Sequence, residues 1–153
     1  MFSRAIIRIP SKSVVNGLRA TDLGPPLYER ALEQHSEYIS ALKKCGLDVI
    51  VLDPDEDFPD ATFVEDTALL TPNVAIITNP GAPTRQGETK QIQSVLVDFF
   101  QSIEAIKHPG TLDGGDIVAH GNHYYIGLSN RTNDEGATQL TEILNTYGML
   151  SST

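Results

Sequence analysis

Two acidic clusters, Phe58-Pro-Asp60-Ala-Thr-Phe-Val-Glu65-Asp66 and Thr111-Leu-Asp113-Gly-Gly-Asp116, have the residue types needed to hold a flat cation. A guanidinium presents in-plane N–H donors in a fixed fork, so carboxylates beside it accept paired, charge-assisted hydrogen bonds and set its orientation. Glu65, Asp66 and Asp113 suit that task. A ligand that is also an amino acid carries a carboxylate, which calls for arginines, and an ammonium, which calls for a further acid. Arg85 and Arg131 suit the first and Asp60 the second.

Taken singly, each of these residues also reads as ordinary structure. Pro59-Asp60 forms a turn, Glu65-Asp66 caps strands, Asp113-Gly-Gly is a tight turn whose glycines supply positive φ, and Arg131 merely precedes a helix. Their joint arrangement favours a site. The only cysteine, Cys45, falls on an apolar helical stripe just before Gly46 and is expected to be a small buried thiol; Lys43 and Lys44 alone do not make it reactive. His120 and His123 flank the turn Gly121-Asn122 without a third ligand spaced to join them, so a hairpin tip is expected and no metal. His35 is expected on the inner face of the first helix, and His108 in a loop.

The elements that must position these residues recur along the chain. Asp66 to Leu70, a turn at Thr71-Pro-Asn73, and Val74 to Thr78 read as a hairpin, followed by Arg85 and a helical stripe at Ile92, Val95, Leu96, Phe99 and Phe100. Asp116 to Ala119, a turn at Gly121-Asn122, and Tyr124 to Ile126 repeat the hairpin; Arg131 and a helix with Ala137, Leu140, Ile143, Leu144 and Tyr147 inward complete the second copy. A looser copy opens the chain: a strand from Ala5 to Ile9, a loop from Ser11 to Pro26, a helix with Leu27, Ala31, His35, Tyr38, Leu42 and Cys45 on one stripe, and a strand from Asp48 to Leu52. The period of roughly 45 to 50 residues fits a repeat or propeller architecture, against the alternative of an α+β domain with two similar hairpins. A capping box at Thr132 and Glu135 is expected to start the last helix, which ends near Gly148. The loop from Ser11 to Pro26 reads as either a mobile flap or a plain connection.

The 153 residues suffice for one domain, and 40% hydrophobic content supplies a core. A net charge of −9 repels phosphate backbones and anionic lipid, so nucleic acid and membrane are poor partners and a small cation is a better one. One cysteine leaves no internal disulfide, and neither a signal peptide nor a membrane-spanning run is evident, so a cytosolic location is the default expectation.

Together these residues resemble the dimethylarginine dimethylaminohydrolase family of the guanidino-group-modifying superfamily. The resemblance runs along the chain through Gln34-His35-x-x-Tyr38, Phe58-Pro-Asp60 to Val64-Glu65-Asp66, Asn79-Pro-Gly81-Ala-Pro-x-Arg85, Thr111-Leu-Asp113-Gly-Gly-Asp116, and Ile126-Gly-Leu-Ser-x-Arg131-Thr-Asn133. It implies the α/β propeller, or pentein, fold of five strand-strand-helix-strand units, with residues 1–153 as a single incomplete domain holding about three of them in an unclosed ring. It also implies roles: Asp60 for the substrate ammonium, Leu18 as part of a lid that touches substrate through its backbone, Arg85 and Arg131 for the carboxylate, Glu65 and Asp66 for the guanidinium side, and Asp113 as the acid of the catalytic set.

The chemistry implied is attack of a cysteine thiolate on the guanidinium carbon of a methylated arginine, loss of dimethylamine, and hydrolysis of the covalent intermediate to citrulline, without metal or other cofactor. The family's histidine and nucleophilic cysteine have no counterpart within these residues, so the chain by itself is expected to be inactive, and its open flank is expected to invite association, with a second copy among the candidates. An arginine deiminase or amidinotransferase fragment shares the same acids. A non-catalytic module that binds arginine-like ligands or other proteins is the alternative of a different class.

Overall fold

The computed structural model describes residues 2–21 and 23–153. The chain divides into two compact units, residues 1–64 and 65–153. Both are α/β.

The first unit is a β-α-β crossover. Strand β1 (Arg4–Arg8) pairs in parallel with β2 (Asp48–Leu52), in register Arg4 to Asp48 through Arg8 to Leu52, and α1 (Tyr28–Lys44) connects them. Between β1 and α1 lies a 3-10 helix, Lys12–Asn16. The helix carries its half-buried side chains at Tyr28, Ala31, Leu32, His35, Ile39 and Leu42, a spacing of three and four residues that keeps one stripe facing the strands. The expected stripe is therefore corrected at three places. Leu27 is the exposed residue preceding the first turn, Tyr38 is exposed, and Cys45 is an exposed thiol at the helix C-terminus. Leu27 and Cys45 are the cap residues on either side of the helix, where the stripe no longer faces the strands, and on the helix itself the inward position is taken by Ile39 in place of Tyr38.

The second unit contains the repeat twice. Strands β3 (Ala68–Leu70) and β4 (Ala75–Ile77) form an antiparallel hairpin; α2 (Thr89–Leu96) then returns the chain to β5 (Ile103–Ala105), parallel to β4. Strands β6 (Ile117–His120) and β7 (His123–Ile126), α3 (Asp134–Thr146) and β8 (Leu150–Ser152) repeat that order, with β8 parallel to β7. Each sheet has the order hairpin strand, hairpin strand, returning strand. The returning strands β5 and β8 have three residues each, too few for a periodicity to show, and were not legible from residue patterns. Helix α2 stops at Leu96, so Phe99 and Phe100 lie past it, their N–H groups both reaching back to the Leu96 carbonyl.

Helices α1 and α3 end in the same way. Gly46 (φ +84°) and Gly148 (φ +74°) take the left-handed conformation, and the following Leu47 and Met149 N–H groups bond back to Leu42 and Leu144. This Schellman pattern needs glycine because a Cβ is strained at that φ. The N-terminus of α3 differs from expectation: the cap is Asn133, whose side chain accepts from the Gly136 N–H at 2.8 Å, while the Thr132 hydroxyl turns elsewhere.

Val74, Ile76, Ile106, Leu112, Tyr124, Ile126, Ala137, Leu140, Leu144 and Met149 form one core that spans both repeats of the second unit. An antiparallel bridge between Asn79 and Leu112, with the Leu112 N–H donating to the Asn79 carbonyl at 2.8 Å, ties the end of the first repeat to the start of the second. That bridge brings the Asn79-Pro-Gly81 and Asp113-Gly-Gly segments together.

Candidate functional site

In the first unit Asp60 is buried, and both of its carboxylate oxygens accept from the Leu18 N–H, at 3.0 and 3.1 Å. The start of the same loop is held by Glu56, whose two oxygens receive the N–H groups of Lys12 and Ser13 at 3.0 and 3.1 Å. These donors sit at the start of a 3-10 helix, where backbone N–H groups have no partner within the helix. The segment expected as a flap, Ser11 to Pro26, is thus fastened by carboxylates at its start and at its middle, where Leu18 is placed by Asp60 with its side chain half exposed.

In the second unit the bridge at Asn79 and Leu112 sets Asp113 against Gly81, whose N–H donates to Asp113 Oδ1 at 2.8 Å. Arg131 Nη1 donates to the other oxygen, Oδ2, at 3.2 Å. Asp113 is 6% exposed. Burial pushes its carboxyl above the ordinary range; the Gly81 N–H opposes this, the charge of Asp66 adds to it, and Arg131 and Arg85 oppose it. The net direction is upward.

Asp66 lies on a 3-10 turn, Val64–Thr67, that leads into β3. Its Oδ1 accepts from the Gly115 N–H at 3.1 Å, and its Oδ2 pairs with Arg85 Nη1. Neighbouring Glu65 is exposed. The Gly114-Gly115 pair is not present for positive φ, contrary to expectation. A Cβ on Gly114 would stand 2.1 Å from the Glu65 carbonyl oxygen, and one on Gly115 2.8 Å from Asp66 Oδ1, so Glu65-Asp66 and Gly114-Gly115 approach as closely as they do because the glycines carry no side chain.

Arg85 has different surroundings from those expected of a group awaiting an anion. It is 4% exposed, its Nε and Nη2 donate to Glu88 at 2.8 to 3.2 Å, and Nη1 goes to Asp66. Burial alone would lower its pKa, but Glu88 and Asp66 outweigh that and raise it, so the guanidinium stays charged. No buried side-chain nitrogen or oxygen among the described residues lacks a partner. Glu88 has a local signal in the sequence: it lies three residues after Arg85, and on a 3-10 helix of three residues per turn such side chains eclipse. Asp116, the last residue of the second acidic cluster, and Thr132, expected in a capping box, pair with each other in a way that spacing did not indicate, since the hydroxyl and carboxylate meet across 16 positions, at 2.6 Å.

Chemically, the second unit sets two carboxylates, Asp66 and Asp113, in fixed orientations among two guanidinium groups. A partly desolvated carboxylate with its oxygens aimed by N–H donors is suited to receive a planar cation. His120 and His123 face one another across the β6–β7 hairpin, with His123 Nε2 at 3.0 Å from Ser152 Oγ. Cys45 lies at the end of α1.

Comparison with known proteins gives this arrangement a family. The model of the family described as "N,N dimethylarginine dimethylhydrolase, eukaryotic" matches residues 25–152. The N(G),N(G)-dimethylarginine dimethylaminohydrolase of Pseudomonas aeruginosa is 49% identical over 99% of the chain, and that of Streptomyces coelicolor is 38% identical over 90%. The chain covers 60% and 54% of these two relatives, so it spans less than two thirds of their length. A solved structure of the Pseudomonas protein, a mutant complexed with citrulline, superposes with a TM-score of 0.98 over 99% of the chain and 60% of that structure. The N-terminal domain of ArgZ, a cyanobacterial arginine dihydrolase, shares the fold at a TM-score of 0.86 with 16% identity, covering 99% of this chain and 57% of its own. The chain is α/β of the pentein fold and belongs to the dimethylarginine dimethylaminohydrolase family.

Proposed function

We propose that residues 1–153 are the N-terminal portion of a pentein-fold catalytic domain that hydrolyses N(G),N(G)-dimethylarginine to citrulline and dimethylamine. The observation that carries this reading is Asp113: a buried carboxylate with its pKa raised and each oxygen held by one donor, in a chain 49% identical to a dimethylarginine dimethylaminohydrolase. In this reading Asp113 is the acid of the catalytic set and receives the substrate guanidinium, with Asp66 and exposed Glu65 on the same cation. Arg131 and Arg85 serve the substrate carboxylate: Arg131, with its side chain 37% exposed, by contact, and Arg85, which is buried against Asp66 and Glu88, by the field of its charge. In the first unit Asp60 and the Leu18 carbonyl are the acceptors for the ammonium, the N–H of Leu18 being already given to Asp60.

A thiolate must attack a carbon that resonance makes a poor electrophile, so the substrate has to be oriented by several groups at once. In this reading Cys45, at an exposed helix end, is not that thiolate, and the 153-residue chain assayed alone should form no citrulline.

Joining this chain to the C-terminal portion of the Pseudomonas relative that it does not cover tests the proposal. Citrulline and dimethylamine should appear together, and Asp113→Asn should slow the hybrid by about 100-fold or more, the size expected for loss of a positioned acid-base group. A folded hybrid that produces no dimethylamine overturns the reading. Ammonia released from unmethylated arginine in its place would assign the chemistry to a deiminase.

A further inference from the structure

The Arg131–Asp113 contact is held from behind. Oδ2 of Asp116 accepts from two hydroxyls, Ser129 Oγ at 2.7 Å and Thr132 Oγ1 at 2.6 Å. Ser129 Oγ in turn accepts from the N–H groups of Arg131 and Thr132, at 2.9 and 3.2 Å, and Thr132 Oγ1 accepts from the Asp113 N–H at 3.1 Å. The Asp116 main chain joins in, its carbonyl receiving the Gly127 N–H at 2.8 Å.

We propose that Asp116 is a positioning residue for the acid and arginine of this site, acting through Ser129 and Thr132 on the backbone that carries Arg131 and Asp113. A hydroxyl has one proton. With both hydroxyl protons committed to the Asp116 carboxylate, the lone pairs of Ser129 and Thr132 are left to face the N–H groups of Arg131, Thr132 and Asp113. Without the carboxylate each hydroxyl is free to rotate and offer its proton, and the buried Thr132, 1% exposed, has no ready access to water as a substitute partner. Charge-assisted bonds of this length are among the stronger ones, and such chains reinforce one another. The importance of the device for turnover rests on the function proposed above; its existence does not.

Carboxylate and guanidinium NMR of the chain without ligand separates the two. The groups acting on the Asp113 carboxyl are the Gly81 N–H, Asp66, Arg131 and Arg85. In Asp116→Ala, loss of Arg131 alignment should move the Asp113 midpoint upward by about half a pH unit or more, the scale of a weakened charge partner. The Arg131 side-chain N–H signals should exchange at least about threefold faster, as a less protected group does. Asp116→Asn keeps an acceptor oxygen and should recover part of both effects. Ser129→Ala, at an exposed position compatible with folding, should shift both in the same direction by less. Unchanged Asp113 and Arg131 signals in Ser129→Ala and in a folded Asp116→Ala would overturn the proposal, as would an Asn variant no better than Ala. A hybrid enzyme without turnover would leave these signals untouched and count only against the proposed function.

Discussion

A buried carboxylate whose pKa is raised costs stability whenever it is charged, and Asp113 is in that position. Its folded pKa lies above the unfolded one, so its favourable contribution is complete below the ordinary aspartate value of 3.8 and is lost as pH rises through the folded value. Asp113→Asn should therefore raise the melting temperature at pH 7 and give no gain near pH 3, while slowing the hybrid by about 100-fold or more; thermal melts at the two pH values check this. Arg85 behaves oppositely. It stands between two carboxylates, with side-chain exposures of 5% for Arg85, 18% for Asp66 and 3% for Glu88. Removing it leaves buried charges without their cation, and Arg85→Ala should cost about 3–5 kcal/mol in urea unfolding. A loss below about 1 kcal/mol would place the three groups in far wetter surroundings than their burial indicates. Opposite signs distinguish a carboxylate that is buried at a cost to stability from a guanidinium that holds the fold.

At the scale of elements, two glycine classes make separable predictions. Gly148 has positive φ and open space where a Cβ would go, so Gly148→Ala should cost about 1 kcal/mol, from conformation alone. Gly114 has no such φ but would drive a Cβ against the Glu65 carbonyl. Gly114→Ala should cost more than Gly148→Ala and, unlike it, shift the amide resonances of Glu65, Asp66 and Gly115; paired urea titrations and heteronuclear spectra decide both points. The Asp-Gly-Gly run thus gave the right location and the wrong cause, because a close approach between segments 49 residues apart has no local signature. Hairpins β3–β4 and β6–β7 were legible, since turn residues and β-branched runs act locally. Strands β5 and β8 were not: three residues each, they are defined by pairing with β4 and β7 and not by their own alternation. The acids and arginines could be picked out by type, whereas their partners Glu88, Thr132 and Asp116 gain meaning only once the loops are placed.

For the whole molecule, the two units differ in how much apolar surface they remove from water. The second carries a core of ten buried residues. In the first, the buried apolar residues among those described are Ile7, Pro10 and Ala61, and α1 has none that is fully buried. Opening free energy follows buried contact, so the amides of α1 should exchange with solvent at least about tenfold faster than those of β4 and α3, a difference near 1.4 kcal/mol. His35 gives that difference a pH dependence. Burial lowers its pKa below the ordinary 6.5, against a backbone hydrogen bond to Arg8 that raises it. A histidine held neutral favours the folded helix above the unfolded pKa, and that contribution falls away as pH drops through the folded value. Native-state hydrogen exchange at pH 7.5 and pH 5, corrected for intrinsic rates, should show α1 opening more readily at the lower pH, and His35→Gln should flatten the difference. If α1 is instead protected as strongly as β4 at both values, the first unit owes its stability to contacts other than its own sparse core.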